Sequence, residues 1–315
     1  MSKHIAVLLG GWSAEREVSL VSGKAVARAL RDLGYEVTEI DVQPDVAEVL
    51  ARVRPDAAFN ALHGRFGEDG CMQGLLEMMK IPYTHSGVLA SSVAMDKPLA
   101  KIIFASAGLR CPKGKMVSRK ELAKGDPLPR PFVVKPANEG SSVGVHIVTS
   151  EDNRPIDIVV SGQRSATSEE NMPGRWPLAA DRYLVEEYIP GREITAAVLN
   201  DKPLGVTEIK PQTGFYDYEH KYTDGAALHL CPAPLPKNKY EEVMQLALAA
   251  HRALGCRGLT RSDFRYDGKH FYLLEINTQP GMTPLSLSPE IAAHAGIDFK
   301  ELVKILVEDA KLGES

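Results

Sequence analysis

The sequence predicts an α/β chain that begins with a parallel sheet. Over the first 85 residues short apolar runs alternate with segments of helical period, the pattern of βαβ units. Beyond residue 183 the strands follow one another more closely, and the last two form a hairpin.

At 315 residues the chain has room for two or three domains with cores of their own. Its 44% hydrophobic and 25% charged residues are ordinary for a globular protein. A net charge of −4 argues against a nucleic-acid or membrane-surface partner. No apolar run approaches a membrane span, and Met1-Ser2-Lys3-His4 leads into a strand rather than a signal peptide. Cys71, Cys111, Cys231 and Cys256 show no metal-like spacing and read as reduced thiols of a cytoplasmic protein.

Residues 5–9 make an apolar strand that runs into Gly10-Gly11. Helix 18–33 follows, with Leu20, Val21, Ala25, Ala29 and Leu33 near helical period and Gly34 as its stop. Strand 35–40, helix 46–53, strand 57–62, helix 71–79 and strand 81–84 complete a parallel sheet. Ligands of such a sheet sit at the C-terminal ends of its strands. Helix 98–107 precedes strands 131–135 and 145–148, which flank a Gly/Ser loop at 138–144. Residues 151–181 are polar and aperiodic and read as a surface excursion. Strands 183–188, 194–199 and 204–209 come next, then a Tyr-rich loop at 210–227. Helix 237–254 stops at Gly255, and helix 299–310 follows the hairpin.

The hairpin carries the chemistry. Tyr272-Leu273-Leu274-Glu275-Ile276-Asn277 puts a carboxylate and a carboxamide on one face. The preceding strand carries Arg261 and Asp263. Three hard oxygen donors beside a guanidinium suit Mg²⁺ held together with substrate phosphates, which points to phosphoryl chemistry on ATP. The ordinary alternative is a surface hairpin with charged outer residues. Asn277, a poor strand residue, and the Thr278-Gln279-Pro280-Gly281 turn, whose N–H groups can face an anion, favour the site. A shared site sets a condition on the loop. A two-residue Asp267-Gly268 turn would pair Tyr266 with Lys269 and turn Asp263 away from Glu275. An odd-residue loop is therefore expected, with Gly268 at positive φ.

Other candidates have plainer alternatives. Lys135 ends a strand that enters Glu139-Gly140-Ser141-Ser142-Val143-Gly144, a loop able to close over phosphates but equally a plain turn. The run 184–189 offers an extended backbone to an adenine, and Glu193 a carboxylate to a ribose, unless this is an edge strand with solvated acids. Glu15 at a strand end can bind an ammonium group, while Ser13 is expected to N-cap the next helix. His63 can touch a substrate carboxylate, although a loop histidine is more often exposed. The 215–222 segment reads as part of a lid in which Lys221 reaches a γ-phosphate and Tyr222 a hydroxyl network, or as a loop packed on its own aromatics.

Taken together, these motifs resemble the D-alanine–D-alanine ligases of the ATP-grasp superfamily. The match runs from Leu8-Leu9-Gly10-Gly11 and Ala14-Glu15-Arg16-Glu17-Val18-Ser19 to Leu285-Ser286-Leu287. Its most specific pieces are His63-Gly64 with Gly67-Glu68-Asp69-Gly70, Met95-Asp96-Lys97, the Glu139–Gly144 run, Phe215-Tyr216-Asp217-Tyr218 with Lys221-Tyr222, and Glu275-Ile276-Asn277-Thr278 with Pro280-Gly281-Met282-Thr283.

The resemblance implies an ATP-grasp fold. A Rossmann-like substrate domain at 1–95 would precede a central lobe at 96–182 and a C-terminal lobe at 183–315, the two lobes enclosing ATP. It implies that ATP phosphorylates the carboxylate of one D-alanine and that the amine of a second attacks the acyl phosphate, in peptidoglycan precursor synthesis. By the same resemblance Lys97 and Lys135 hold the α- and β-phosphates, Lys221 reaches the γ-phosphate and Ser142 belongs to the ATP site. Glu186, Glu187 and Ile189 line the adenine, and Glu193 takes the ribose. Asp263, Glu275 and Asn277 bind two Mg²⁺, which Mn²⁺ can replace. Glu15, linked to Ser141 and Tyr222, holds the first ammonium group, and His63 assists. Arg261 and the Gly281 N–H form the oxyanion site, and Ser286 and Leu287 hold the second carboxylate. A homodimer is implied as well. The 151–181 stretch is longer and less regular than the family's usual segment, and Trp12 is not specified by its pattern. The nearest rival is a D-alanyl-D-lactate ligase, whose members typically carry Phe where this chain has Tyr222. Another carboxylate–amine ligase would lack the His63-Gly64 motif and the lid. A non-catalytic ATP-binding module would be expected to lose a metal ligand or Arg261.

Overall fold

The computed structural model describes residues 2–136, 144–150, 182–211, 227–283 and 286–313. The 151–181 excursion, Ser141 and Ser142, and the lid segment with Lys221 and Tyr222 lie outside the described residues. The chain begins with β1 (His4–Leu9), α1 (Arg16–Asp32), β2 (Glu36–Asp41), α2 (Val46–Val53), β3 (Ala57–Asn60), α3 (Cys71–Met79), α4 (Val88–Met95) and α5 (Lys97–Ser106). Then come β4 (Gly114–Ser118), α6 (Arg119–Leu122), β5 (Phe132–Pro136), β6 (His146–Val148) and β7 (Arg182–Glu187). The last stretch holds β8 (Arg192–Leu199), β9 (Lys202–Pro211), β10 (Ala227–Leu230), α7 (Lys237–Ala253), β11 (Leu259–Tyr266), β12 (Phe271–Asn277), α8 (Leu287–His294) and α9 (Phe299–Glu308).

The first sheet is parallel, in the order β2-β1-β3. Ile5, Val7 and Leu9 share one core with Val26 and Leu30 of α1 and with Leu302, Val303 and Leu306 of α9. Ala6 and Leu8 pack the other way, with Val46 and Leu50 of α2 and Met72 and Leu76 of α3. Alternation along β1 thus covers both faces, as a parallel sheet requires. The fourth strand expected at 81–84 is reduced to isolated bridges at Tyr83, parallel to Ala58 and antiparallel to Lys311. Lys80 and His85, both at positive φ, bracket the segment, and Pro82 has no N–H to give a ladder.

The other two sheets run in the orders β4-β7-β5-β6 and β10-β9-β8-β11-β12, and their neighbouring strands pair antiparallel. In the first, Phe132, Val134, Tyr183 and Val185 face a small core with Val117, Leu122 and Val148. In the second, Ile194, Ala196, Val198, Phe264, Leu273 and Ile276 face α7 through Val243, Ala247 and Ala250. On the other face, Glu193 and Thr195 of β8, Arg261 and Asp263 of β11, and Glu275 and Asn277 of β12 are polar, while Leu199 and Leu259 at the far end join the core of the first sheet.

The hairpin contradicts the odd-loop expectation. Tyr266 pairs with Phe271, so the loop holds the four residues 267–270. Asp267 organises it by accepting the N–H groups of Lys269 and His270, both at 2.7 Å. Gly268 has the expected positive φ, +95°. Parity is corrected inside the ladder: Phe264 pairs with Leu273 but Asp263 with Glu275, and Leu274 is the extra, bulged residue. The carboxylates share a face, as the metal-site assignment needs, but a bulge rather than the turn puts them there.

Helix α1 approaches β1 closely because Gly23 has no side chain. A Cβ there would overlap that of Leu9 and come within 2.8 Å of Leu9 Cδ2. In an exposed helix Gly→Ala stabilises by roughly 0.8–1 kcal/mol. Here overpacking dominates, and Gly23→Ala is expected to cost about 1–3 kcal/mol in urea unfolding. A neutral or stabilising effect would contradict this packing.

Candidate active site

Cross-strand register assembles the first half of the site. Thr195, Asp263 and Glu275 lie opposite one another across β8, β11 and β12, and Arg261 lies opposite Asn277. Arg261 forks onto Asp263, with Nε–Oδ1 at 3.0 Å and Nη2–Oδ2 at 2.9 Å. Thr195 Oγ1 donates to Asp263 Oδ1 at 2.6 Å. Asn277 Oδ1 accepts the Gln279 N–H at 2.8 Å, and the Gln279 side chain reaches the Leu62 carbonyl of the first domain's loop.

Helix α5 brings ammonium groups to two sheets. Asp96 caps it by accepting the Leu99 N–H at 3.0 Å. Lys97 Nζ lies 3.2 Å from Glu275 Oε2. One turn on, Lys101 pairs with Glu186, whose other oxygen is 2.6 Å from Lys135 Nζ. Lys97 and Lys135 are each 7% exposed and Glu186 is 2% exposed. Charges this deep persist only with partners. Burial, joined by the charges of Lys97 and Lys101, pushes the Lys135 ammonium down from its ordinary value. Burial pushes Lys101 down to about 8.

Glu186 and Glu187 are neighbours on β7 and point to opposite faces. Glu187 Oε1 accepts the Lys113 N–H, and its own N–H donates to the Lys113 carbonyl, both at 2.8 Å. Ile189 is buried, and its carbonyl accepts Arg265 Nε at 3.1 Å. Arg265 also stands 3.6 Å from Glu193. The segment expected to take adenine and ribose is thus anchored from β11.

Glu15 and His63 meet at the C-terminal end of the parallel sheet. Ser13 does not N-cap α1 as expected. Its hydroxyl donates to the His63 carbonyl at 2.7 Å and accepts the Glu15 N–H at 3.1 Å, and Glu15 takes the cap position. A Cβ on Gly64 would stand 3.1 Å from Glu15 Oε2, so glycine lets that loop close over the carboxylate. His63 is 5% exposed, contrary to the ordinary expectation for a loop histidine. Its Nδ1 is 3.2 Å from Glu68 and its Nε2 is 3.3 Å from Ser22 Oγ. Ser22 in turn accepts the Met282 N–H at 3.3 Å, tying α1 to the turn after β12. Near that turn Ser286 Oγ accepts the Thr283 N–H at 3.0 Å, and a Cβ on Gly281 would come within 2.9 Å of it. Ser286 sits at the N-cap of α8, and Leu287 is buried in its first turn.

Sequence reasoning missed Ser22, Lys101 and Thr195. Two signals were present. Lys101 lies four residues after Lys97 on one helix, hence on the same side. Thr195 lies two after Glu193 on a strand, hence on the same face.

Comparison with known proteins decides the family. The D-ala D-ala ligase C-terminus model matches residues 103–308 and the N-terminus model residues 42–86. The chain belongs to the D-alanine–D-alanine ligase family. The family's protein from Methylorubrum populi is 54% identical over 318 residues, 99% of each chain. That from Paramagnetospirillum magneticum is 53% identical over 320 residues, again 99% of each. A crystal structure of the Bacillus anthracis D-alanine–D-alanine ligase superposes with a TM-score of 0.79 at 34% identity, covering 98% of this chain and 97% of that one. Another, complexed with ATP, has a TM-score of 0.77 at 32% identity and covers 98% and 96%. The fold is the ATP-grasp arrangement of this family.

Burial alone would lower the His63 pKa. The Glu68 hydrogen bond and the charges of Glu68 and Glu15 outweigh it and hold the imidazole above its ordinary value of 6.5. A raised folded-state pKa contributes stability that is complete below the unfolded value and lost as pH rises through the folded one. Glu68→Gln is expected to lower the His63 pKa, read by NMR titration of the ring, and to reduce stability most below pH ~6.5. An unmoved titration would show that Glu68 does not set it.

Proposed function

We propose that the chain joins two D-alanines into D-alanyl-D-alanine at the expense of ATP, through a D-alanyl phosphate intermediate, for peptidoglycan precursor synthesis. The observation that carries this is the cross-strand arrangement of Arg261, Asp263, Glu275 and Asn277 on one face, opposite the buried lysines of α5 and β5. Membership of the family supplies the substrates.

The donor set fits the implied metal. Asp263, Glu275 and Asn277 present hard oxygens from one sheet face, the chemistry Mg²⁺ and Mn²⁺ take. Two bound ions would offset the charge of the phosphates facing a substrate carboxylate. The chain's own groups do the rest. Lys97 and Lys135 hold phosphate oxygens as point charges, in a setting where burial strengthens them. Glu15 takes the ammonium group of the first D-alanine, with His63 beside it. Arg261 and the Gly281 N–H stabilise the oxyanion of the tetrahedral intermediate. The start of α8, at Ser286 and Leu287, would hold the second carboxylate at the positive end of that helix. Ser142, Lys221 and Tyr222 would complete the phosphate and lid contacts.

We place the lobe boundary after β7 rather than at 182/183, because β7 pairs with β4 and β5. A homodimer is supported by the large apolar side chains Met78, Leu89, Leu99 and Ile102, which α3, α4 and α5 leave exposed. A cytoplasmic location is supported by four free thiols. Among the described residues no helix is long and apolar enough to cross a membrane.

The test is phosphate release with ATP, Mg²⁺ and D-alanine, compared with L-alanine and with D-lactate as second substrate. Dipeptide from D-alanine alone is expected; a depsipeptide as main product would favour the D-lactate relative. Glu275→Ala should lower kcat by at least about 10²–10³ with the fold intact by circular dichroism. Unchanged turnover with normal Mg²⁺ dependence would remove Glu275 from the site.

A further inference from the structure

We infer that Thr195 is a positioning residue for the metal site: its hydroxyl fixes the orientation of the Asp263 carboxylate. The inference rests on the reading of Asp263 as a metal ligand. Thr195 lies directly across from Asp263 on β8 and is fully buried. Its Oγ1 has two acceptors within reach, Asp263 Oδ1 at 2.6 Å and the Ser262 carbonyl at 3.4 Å. A hydroxyl has one proton to give, and the nearer, charged oxygen takes it.

The other donors to Asp263 are of a different kind. Arg261 holds both carboxylate oxygens from the same strand, two residues away. Its long side chain is also the group assigned to the oxyanion, so its grip on Asp263 need not persist through turnover. Thr195 cannot swing in that way. Its β-branched side chain has restricted χ1 freedom, and β8 is hydrogen-bonded between β9 and β11. With Thr195 fixed, the carboxylate would keep one rotation were Arg261 to leave it. Groups that orient a metal ligand from behind affect metal affinity without touching the metal.

The plain alternative is an interior hydroxyl that merely satisfies itself. The two readings separate in Mn²⁺ binding, followed by electron paramagnetic resonance on the full-length protein with a non-hydrolysable ATP analogue. Thr195→Val keeps the branched shape and removes the donor; it is expected to weaken Mn²⁺ binding by about 10–100-fold. Thr195→Ser keeps the donor and should bind close to wild type. In turnover assays the Val variant should show its loss mainly as a raised Mg²⁺ requirement, recovered at high Mg²⁺. If Thr195→Val does not fold, Thr195→Ala serves as the donor-free variant. Wild-type Mn²⁺ affinity in the donor-free variant overturns the inference. Asp263→Asn in the same titration separates the two levels. If it too binds like wild type, the metal-ligand reading of Asp263 fails, whereas lost binding there beside intact binding in Thr195→Val overturns the Thr195 role alone.

Discussion

Strand residues alternate between faces, and the β11–β12 hairpin has an even loop, so an unbroken ladder would send Asp263 and Glu275 to opposite sides. The bulge at Leu274 removes that conflict. On either side of the bulge the apolar residues Phe264, Leu273 and Ile276 face α7, while Asp263, Glu275 and Asn277 share the other side. Core and site thus depend on the same register. A slip by one residue would bury the carboxylates against α7 and expose the apolar set, which costs far more than any single contact in the site.

Charge pairing joins the sheets around this ladder. α5 carries Lys97 to Glu275 on β12 and Lys101 to Glu186 on β7, and Glu186 also holds Lys135 on β5. Buried ion pairs add little net stability, because desolvation offsets most of their attraction. Their use is positional. The carboxylates keep the lysine side chains in place between the sheets, while burial pushes Lys101 and Lys135 below their ordinary values. At the other end Ser22, His63 and Gln279 link α1, the loop after β3 and the turn after β12. The loop around His63 and the turn after β12 are therefore set against each other by hydrogen bonds rather than by apolar packing alone.

Much of this was legible in the sequence, for identifiable reasons. Helices 46–53 and 71–79 have clear period and defined ends, and their observed limits agree with the expected ones. β4 and β10 escaped notice because they are short edge strands, β4 with a partner some way along the chain in β7 and β10 at the end of the Tyr-rich stretch that follows β9. α4 begins after Gly87 without a side-chain cap, and α8 carries Pro289 in its first turn, so neither announced itself. The shared face of Asp263 and Glu275 was inferred from the chemistry they must perform, but its cause was misplaced. Loop length and bulge position both alter parity, and only the ladder distinguishes them. Lys101–Glu186 spans 85 positions, a pairing that no local pattern encodes.

The most direct test of the site is anomalous scattering from crystals of the protein grown with Mn²⁺ and a non-hydrolysable ATP analogue. Manganese peaks at bonding distance from Asp263, Glu275 and Asn277, with Lys97 and Lys135 on the nucleotide's phosphates, are the expected result. Manganese bound elsewhere, or nucleotide phosphates remote from both lysines, would contradict the assignment of this sheet face as the catalytic centre.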